Sequence, residues 1–151
     1  MDALSHVAED GSASMVDVSS KPPLARSATA SGFVSMAPET VALVRENGLK
    51  KGDVLTVAKI AGIAAAKKTG ETIPLCHPLP LSHVGVDFEV RDTGIHVSAS
   101  ARTTAQTGVE MEALAAVSGA ALTIYDMCKA VDKAMVIGEI KVDSKTKEEP
   151  S

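Results

Sequence analysis

Leu81-Ser82-His83-Val84-Gly85-Val86-Asp87-Phe88-Glu89-Val90-Arg91-Asp92-Thr93-Gly94-Ile95-His96-Val97-Ser98-Ala99-Ser100-Ala101 is the stretch that decides the fold. Val84, Val86, Phe88 and Val90 alternate with smaller or polar residues, Asp92-Thr93-Gly94 supplies a turn, and Ile95, Val97 and Ala99 alternate again. Side chains two apart share one face of a strand, so the pattern predicts an antiparallel hairpin with one apolar side.

Downstream of the hairpin, residues Gly108 to Lys133 show a long, alanine-rich amphipathic pattern, and Met135 to Val142 read as a short strand. Upstream, Gly32 to Met36 form a short strand that stops before Pro38, a residue suited to the first turn of a helix. Glu39 to Asn47 are then helical and end at Gly48. Lys50-Lys51-Gly52-Asp53 make a turn with Asp53 as N-cap, and Val54, Val57, Ile60, Ala61, Ala64 and Ala65 follow at helical spacing as far as Gly70. Before all of these, Lys21-Pro22-Pro23 and Ala25-Arg26 predict an exposed, extended segment, because proline restricts its neighbours.

Setting aside one of the two early helices leaves β-α-β-β-α-β. The expected fold is therefore α+β and ferredoxin-like, an antiparallel sheet with an additional helix and its helices on one face. The other sheet face would stay uncovered, and the apolar side of the hairpin would then want a second copy of the chain. Residues 1–14 and 144–151 are polar without periodicity and read as flexible tails, leaving 15–143 as a single domain.

Composition narrows the function. At 151 residues the chain has enough hydrophobic content, 45%, for one buried core, but only 2% aromatic residues, so alanine and aliphatic side chains must fill it. Alanine-rich surfaces also suit contacts between subunits. A net charge of −4 lacks the basic field that nucleic acid or an anionic membrane attracts. The acidic N-terminus does not resemble a signal peptide, and the run Leu114 to Tyr125 is too short and interrupted to span a bilayer. Two cysteines, Cys76 and Cys128, without Cys-x-x-Cys spacing fit a reducing, cytoplasmic setting. His6, His77, His83 and His96 lack metal-ligand spacing, so neither metal nor cofactor is expected.

Three segments bear reactive groups. In Ile73-Pro74-Leu75-Cys76-His77-Pro78-Leu79-Pro80 the prolines stiffen a loop that presents Cys76 and His77. Adjacent extended residues point oppositely, so His77 alone, as anion contact or acid–base group, is preferred to a Cys-His dyad. Glu110 and Glu112 open the long helix. They either complement its dipole or, if that piece is extended, converge to bind donor groups of a base. Asp126 and Lys129 at i, i+3 are neighbours on one helix face, where spacing alone makes a surface ion pair the default. Their apolar neighbours Tyr125, Met127 and Cys128 favour burial instead, which would prepare Lys129 for proton transfer with Asp126 orienting it. Lys51 precedes a helix start, a natural place to meet an anion. Neither a phosphate-binding P-loop nor a dinucleotide fingerprint is present.

The strings Ile73-Pro74-Leu75-Cys76-His77-Pro78-Leu79, Thr107-Gly108-Val109-Glu110-Met111-Glu112-Ala113-Leu114 and Ala121-Leu122-Thr123-Ile124-Tyr125-Asp126-Met127-Cys128-Lys129-Ala130-Val131 occur in this order. With Met15 to Val18, Lys51 to Val54 and Ile60 to Thr69, they resemble the MoaC family of molybdenum cofactor biosynthesis over about residues 15–145. The resemblance implies a lyase that converts (8S)-3′,8-cyclo-7,8-dihydroguanosine 5′-triphosphate into cyclic pyranopterin monophosphate and diphosphate. Its substrate would come from a radical-SAM enzyme acting on GTP. It implies Asp126 and Lys129 as the acid–base pair, Lys51 and His77 as further essential residues, and substrate contacts at Leu75, Cys76, His77, Met111 and Glu112. Arg26 and Lys145 match site positions in looser segments, and Glu110 would suit the guanine-derived ring. A homo-hexamer, a trimer of dimers with sites at the dimer interface, is also implied. Ala105-Gln106 and His83 depart from more cationic residues common in the family, which bears on affinity. The alternative is a non-catalytic, oligomeric ferredoxin-like module that binds nucleotides or partner proteins as a sensor.

Overall fold

The protein is described by a computed structural model covering residues 10–49 and 51–151. His6, Lys50 and the first nine residues of the expected N-terminal tail lie outside the described residues. The described residues form β1 (Leu24–Ser35), α1 (Pro38–Arg45), α2 (Val54–Lys67), α3 (Thr69–Thr72), β2 (Leu81–Arg91), β3 (Gly94–Ala105), α4 (Glu110–Cys128) and β4 (Val136–Glu148). The sheet order is β2-β3-β1-β4 with every pairing antiparallel, the ferredoxin-like arrangement expected from the hairpin outward.

The hairpin forms as read, Val90 opposite Ile95 and Phe88 opposite Val97. Its apolar side, however, does not face solvent. Val86, Ile95, Val97, Ala99 and Ala101 are buried against the helices, together with Ala28, Ala30 and Val34 of β1. The uncovered face instead carries hydroxyls, with Thr29 Oγ1 2.6 Å from Ser144 Oγ and Ser27 Oγ 2.5 Å from Thr146 Oγ1. The hairpin thus gives no reason for a partner to cover that face, because helix burial already removes its apolar area from water.

The alanines likewise pack within the chain. Ala113, Ala116, Ala120 and Ala121 of α4 are fully buried. A Cβ at Gly62 of α2 would stand 2.8 Å from the Ala116 carbonyl oxygen, and one at Gly119 would stand 2.7 Å from the Ala65 Cβ. Small side chains let α2 and α4 approach closely while both rest on the sheet, a density that larger residues would prevent.

Two strands are longer than expected. β1 begins at Leu24, so Arg26 is a half-buried strand residue rather than part of an exposed loop. Residues 27–31 alternate alanine with serine or threonine, a two-residue period that hydropathy barely registers. β4 runs to Glu148, and its register sets Lys145 opposite Ala28 and Lys147 opposite Arg26. Residues 144–148, read from sequence as tail, are ordered by the β1 ladder rather than by apolar burial. Asp53 caps α2 as expected, accepting from the Thr56 N–H at 3.2 Å.

Candidate active site

Two clusters form at opposite ends of α4. At its start, a cleft of about 450 Å³ is lined by Val16, Lys21, Leu75, Cys76, His77, Glu110 and Met111. His77 Nε2 lies 2.7 Å from the Val16 carbonyl oxygen. A carbonyl only accepts, so Nε2 donates and a neutral ring leaves Nδ1 free as an acceptor. Burial, then the Glu112 and Glu110 charges, push the Cys76 thiol up, which disfavours a thiolate.

A second cleft of about 340 Å³ adjoins the first through Gly108 and Glu110 and gathers Arg26, Lys145 and Lys147. Arg26 donates from Nε to the Ala105 carbonyl at 3.1 Å and from Nη2 to that of Gln106 at 3.2 Å, so the backbone holds its guanidinium in place. Lys145 Nζ stands 3.9 Å from Glu110 Oε1. Gly108 permits this arrangement, because a Cβ there would lie 2.2 Å from the Glu110 carboxylate. Lys147 is an addition of the tertiary structure. It lies on β4 two residues from Lys145, a strand-face signal hidden while 144–151 read as tail.

The backbone at Glu110 to Glu112 is helical, not extended, so the two carboxylates do not share a face. Glu110 borders both clefts, whereas Glu112 is 2% exposed and its Oε1 has no hydrogen-bond partner among the described residues. Burial, with a smaller push from Glu110, raises the Glu112 pKa above the ordinary glutamate value. A group raised on folding stabilises fully below its unfolded pKa and loses that contribution as pH rises through the folded value. Glu112→Gln should therefore match the wild type in acid and be more stable above the glutamate range, by on the order of 1 kcal/mol, in denaturant titrations across pH. Equal stability at all pH values would refute the buried, unpaired carboxylate.

The far end of α4 holds Lys51, Asp126 and Lys129. Lys51 Nζ donates to Asp126 Oδ2 at 2.8 Å and to the Asp126 carbonyl at 3.3 Å, and Lys129 Nζ pairs with Oδ1 at 3.0 Å. Hydrogen bonds from Lys51 first, and from Lys129 next, hold the Asp126 carboxyl below the usual carboxylate range. The burial expected for Lys129 is not found, since all three side chains are about half-exposed. Met127 and Cys128 turn into the core, and the helical period leaves Asp126 and Lys129 on the open side. The cluster presents two ammonium groups on one ionised carboxylate, open to a ligand.

Glu112 and Asp126 are fourteen residues apart on one unbroken helix, which places their Cα atoms about 21 Å apart. The structure thus joins Arg26, Cys76, His77, Glu110, Met111 and Lys145 at one end, and Lys51 with Asp126 and Lys129 at the other. It does not join the two sets within one chain.

A ferredoxin-like sheet carrying a cationic cleft at one end of its longest helix and a lysine–aspartate–lysine cluster at the other defines an α+β protein equipped for acid–base chemistry on an anionic ligand. The profile of the MoaC family matches residues 15–148, and the chain belongs to that family. It is 54% identical over 146 residues to the cyclic pyranopterin monophosphate synthase of Brevibacillus brevis, covering 96% of this chain and 91% of that protein. The synthase of Corynebacterium glutamicum strain R is 58% identical over 146 residues, covering 97% and 94%. The molybdenum cofactor biosynthesis bifunctional protein of Chlorobaculum tepidum is 59% identical over 141 residues, 93% of this chain but 45% of that longer protein. The chain therefore spans less than half of the bifunctional relative and nearly all of the two synthases.

Proposed function

We propose that this chain is a cyclic pyranopterin monophosphate synthase of molybdenum cofactor biosynthesis. It would convert (8S)-3′,8-cyclo-7,8-dihydroguanosine 5′-triphosphate into cyclic pyranopterin monophosphate and diphosphate in the cytoplasm, on substrate made from GTP by a radical-SAM enzyme. The observation that carries this reading is the Lys51–Asp126–Lys129 cluster within a match to the family over residues 15–148. Ring rearrangement and cyclic phosphate formation both need proton transfers, and lysines held on a fixed carboxylate are suited to them. Arg26 and Lys145, with His77 nearby, supply donors for the triphosphate, while Leu75, Cys76, Met111 and the Glu110–Glu112 turn frame the base-derived ring.

The site is completed by a second copy. Gly119 lies midway between Glu112 and Asp126, and the neighbouring outer strip of α4 is apolar, with Met111 37% and Leu122 63% exposed. Two α4 helices packed antiparallel about a two-fold axis there would set Glu112 of one copy level with Asp126 of the other. This α4 strip replaces the sheet face as the reason for association, and three such dimers make the hexamer implied by the family. Purified chain incubated with the cyclised triphosphate should release diphosphate as pyranopterin accumulates. Binding without diphosphate release would favour the sensor module instead.

A further inference from the structure

We propose that Asp132, outside the acid–base cluster, is its positioning residue: its buried carboxylate clamps the turn after Lys129 to the start of α1, fixing the two segments that bring Lys129 and Lys51 to Asp126. Asp132 is 8% exposed. Its backbone N–H continues the end of α4 by donating to the Cys128 carbonyl at 3.0 Å, just as the Lys129 N–H donates to that of Tyr125 at 2.9 Å. Oδ2 accepts from the Ala37 N–H and the Thr40 hydroxyl, both at 2.9 Å, and Oδ1 accepts from the Ala134 N–H at 3.0 Å.

These bonds tie the start of α1 to the turn that follows α4. The N-cap residue of α1, Ala37, has no side chain able to satisfy the free N–H groups of the first turn. Asp132, 95 residues away, instead accepts from the N–H of Ala37 itself and from the Thr40 hydroxyl, and a carboxylate at a helix N-terminus is further favoured by the helix dipole. The N–H of Ala37 and then that of Ala134 hold its carboxyl below the ordinary aspartate range, so it remains an ionised acceptor.

The clamp leads to both lysines. Toward the C-terminal end of α4, Lys129 is three residues from Asp132 in the same hydrogen-bonded run. On the other side, α1 passes through the turn closed by the Gly48 N–H on the Leu43 carbonyl, 2.9 Å, and then the turn closed by the Gly52 N–H on the Leu49 carbonyl, 3.0 Å. Lys51 sits inside the latter turn. Each lysine holds a different oxygen of Asp126, so the spacing between these segments sets the cluster's shape.

The inference rests on the proposed function only for its kinetic readout. Asp132→Asn keeps the shape but sets an amide donor where an acceptor served, and Thr40→Val weakens the same clamp from α1. Per folded subunit, Asp132→Asn should lower kcat between about tenfold and a hundredfold with KM little changed, and Thr40→Val should lower it about threefold. A second readout needs no turnover. The Asp126 carboxyl, followed by carbon-13 NMR, should titrate higher in both variants as its ion pairs loosen. A structural role alone would lower the melting temperature and leave both readouts per folded subunit at wild-type values, which overturns the proposal. If Asp132→Asn does not fold, an unmoved Asp126 titration in Thr40→Val overturns it equally. If the wild type shows no turnover, the synthase reading fails and the Asp126 titration alone decides.

Discussion

Asp126→Ala is expected to lower diphosphate release by about a thousandfold, the scale on which acid–base groups act, while the melting curve stays where it is. Asp126 holds Lys51 through one carboxylate oxygen and Lys129 through the other. Without it, two ammonium groups are left facing each other with nothing between them, and like-charge repulsion drives them apart before substrate is oriented. Stability should be nearly indifferent, because all three side chains are about half-exposed and exposed ion pairs contribute little to folding. Lys129→Ala should lose activity to a similar extent by removing one of the two proton carriers. A variant that kept most of the activity, or lost it together with its fold, would remove this cluster from the mechanism.

The second large effect concerns two dead proteins made active by mixing. Glu112→Gln damages the start of α4, where the base-derived ring would sit, and Asp126→Ala damages its end. If each site takes its halves from two copies, a heterodimer of the two variants carries one site with both lesions and one site with none. Unfolding and refolding an equal mixture should then restore about a quarter of wild-type activity, the fraction of intact sites when copies pair at random. Each variant refolded alone should remain near its own background. No recovery on mixing, with normal assembly by light scattering, would mean that each chain builds its whole site itself.

Much of this architecture is legible along the chain because strong signals agree. Alternation in residues 81–101 forces a hairpin, Asp53 and Pro38 mark helix starts, and the Gly108 to Lys133 pattern runs long enough to exclude anything but a helix over most of its length. The misreadings share a cause. In residues 27–31 the inward side chains are Ala28 and Ala30 and the outward ones serine and threonine, and Arg26 stands on the inward face before them, so the period of two carries little hydropathy contrast. Residues 144–148 have no apolar face at all. They become a strand because β1 offers an edge whose N–H and C=O groups need partners.

The candidate site divides along the same line. The strings around His77, Glu112 and Asp126 name their residues without any coordinates, and helix arithmetic alone separates the two ends of α4. The pairing of Lys51 with Asp126, across 75 residues of chain, needs α1 and the following turns folded back beside the end of α4. The same holds for Arg26 with Lys145 and Lys147, which meet only because β4 aligns along β1. Sequence by itself determined the order of elements, the ferredoxin-like class and the families of reactive side chains, because periodicity and local motifs act over a few residues. Tertiary structure decided which face is covered, which carboxylate is buried without a partner and which cations share a cleft, because those depend on strand register and helix packing between distant segments.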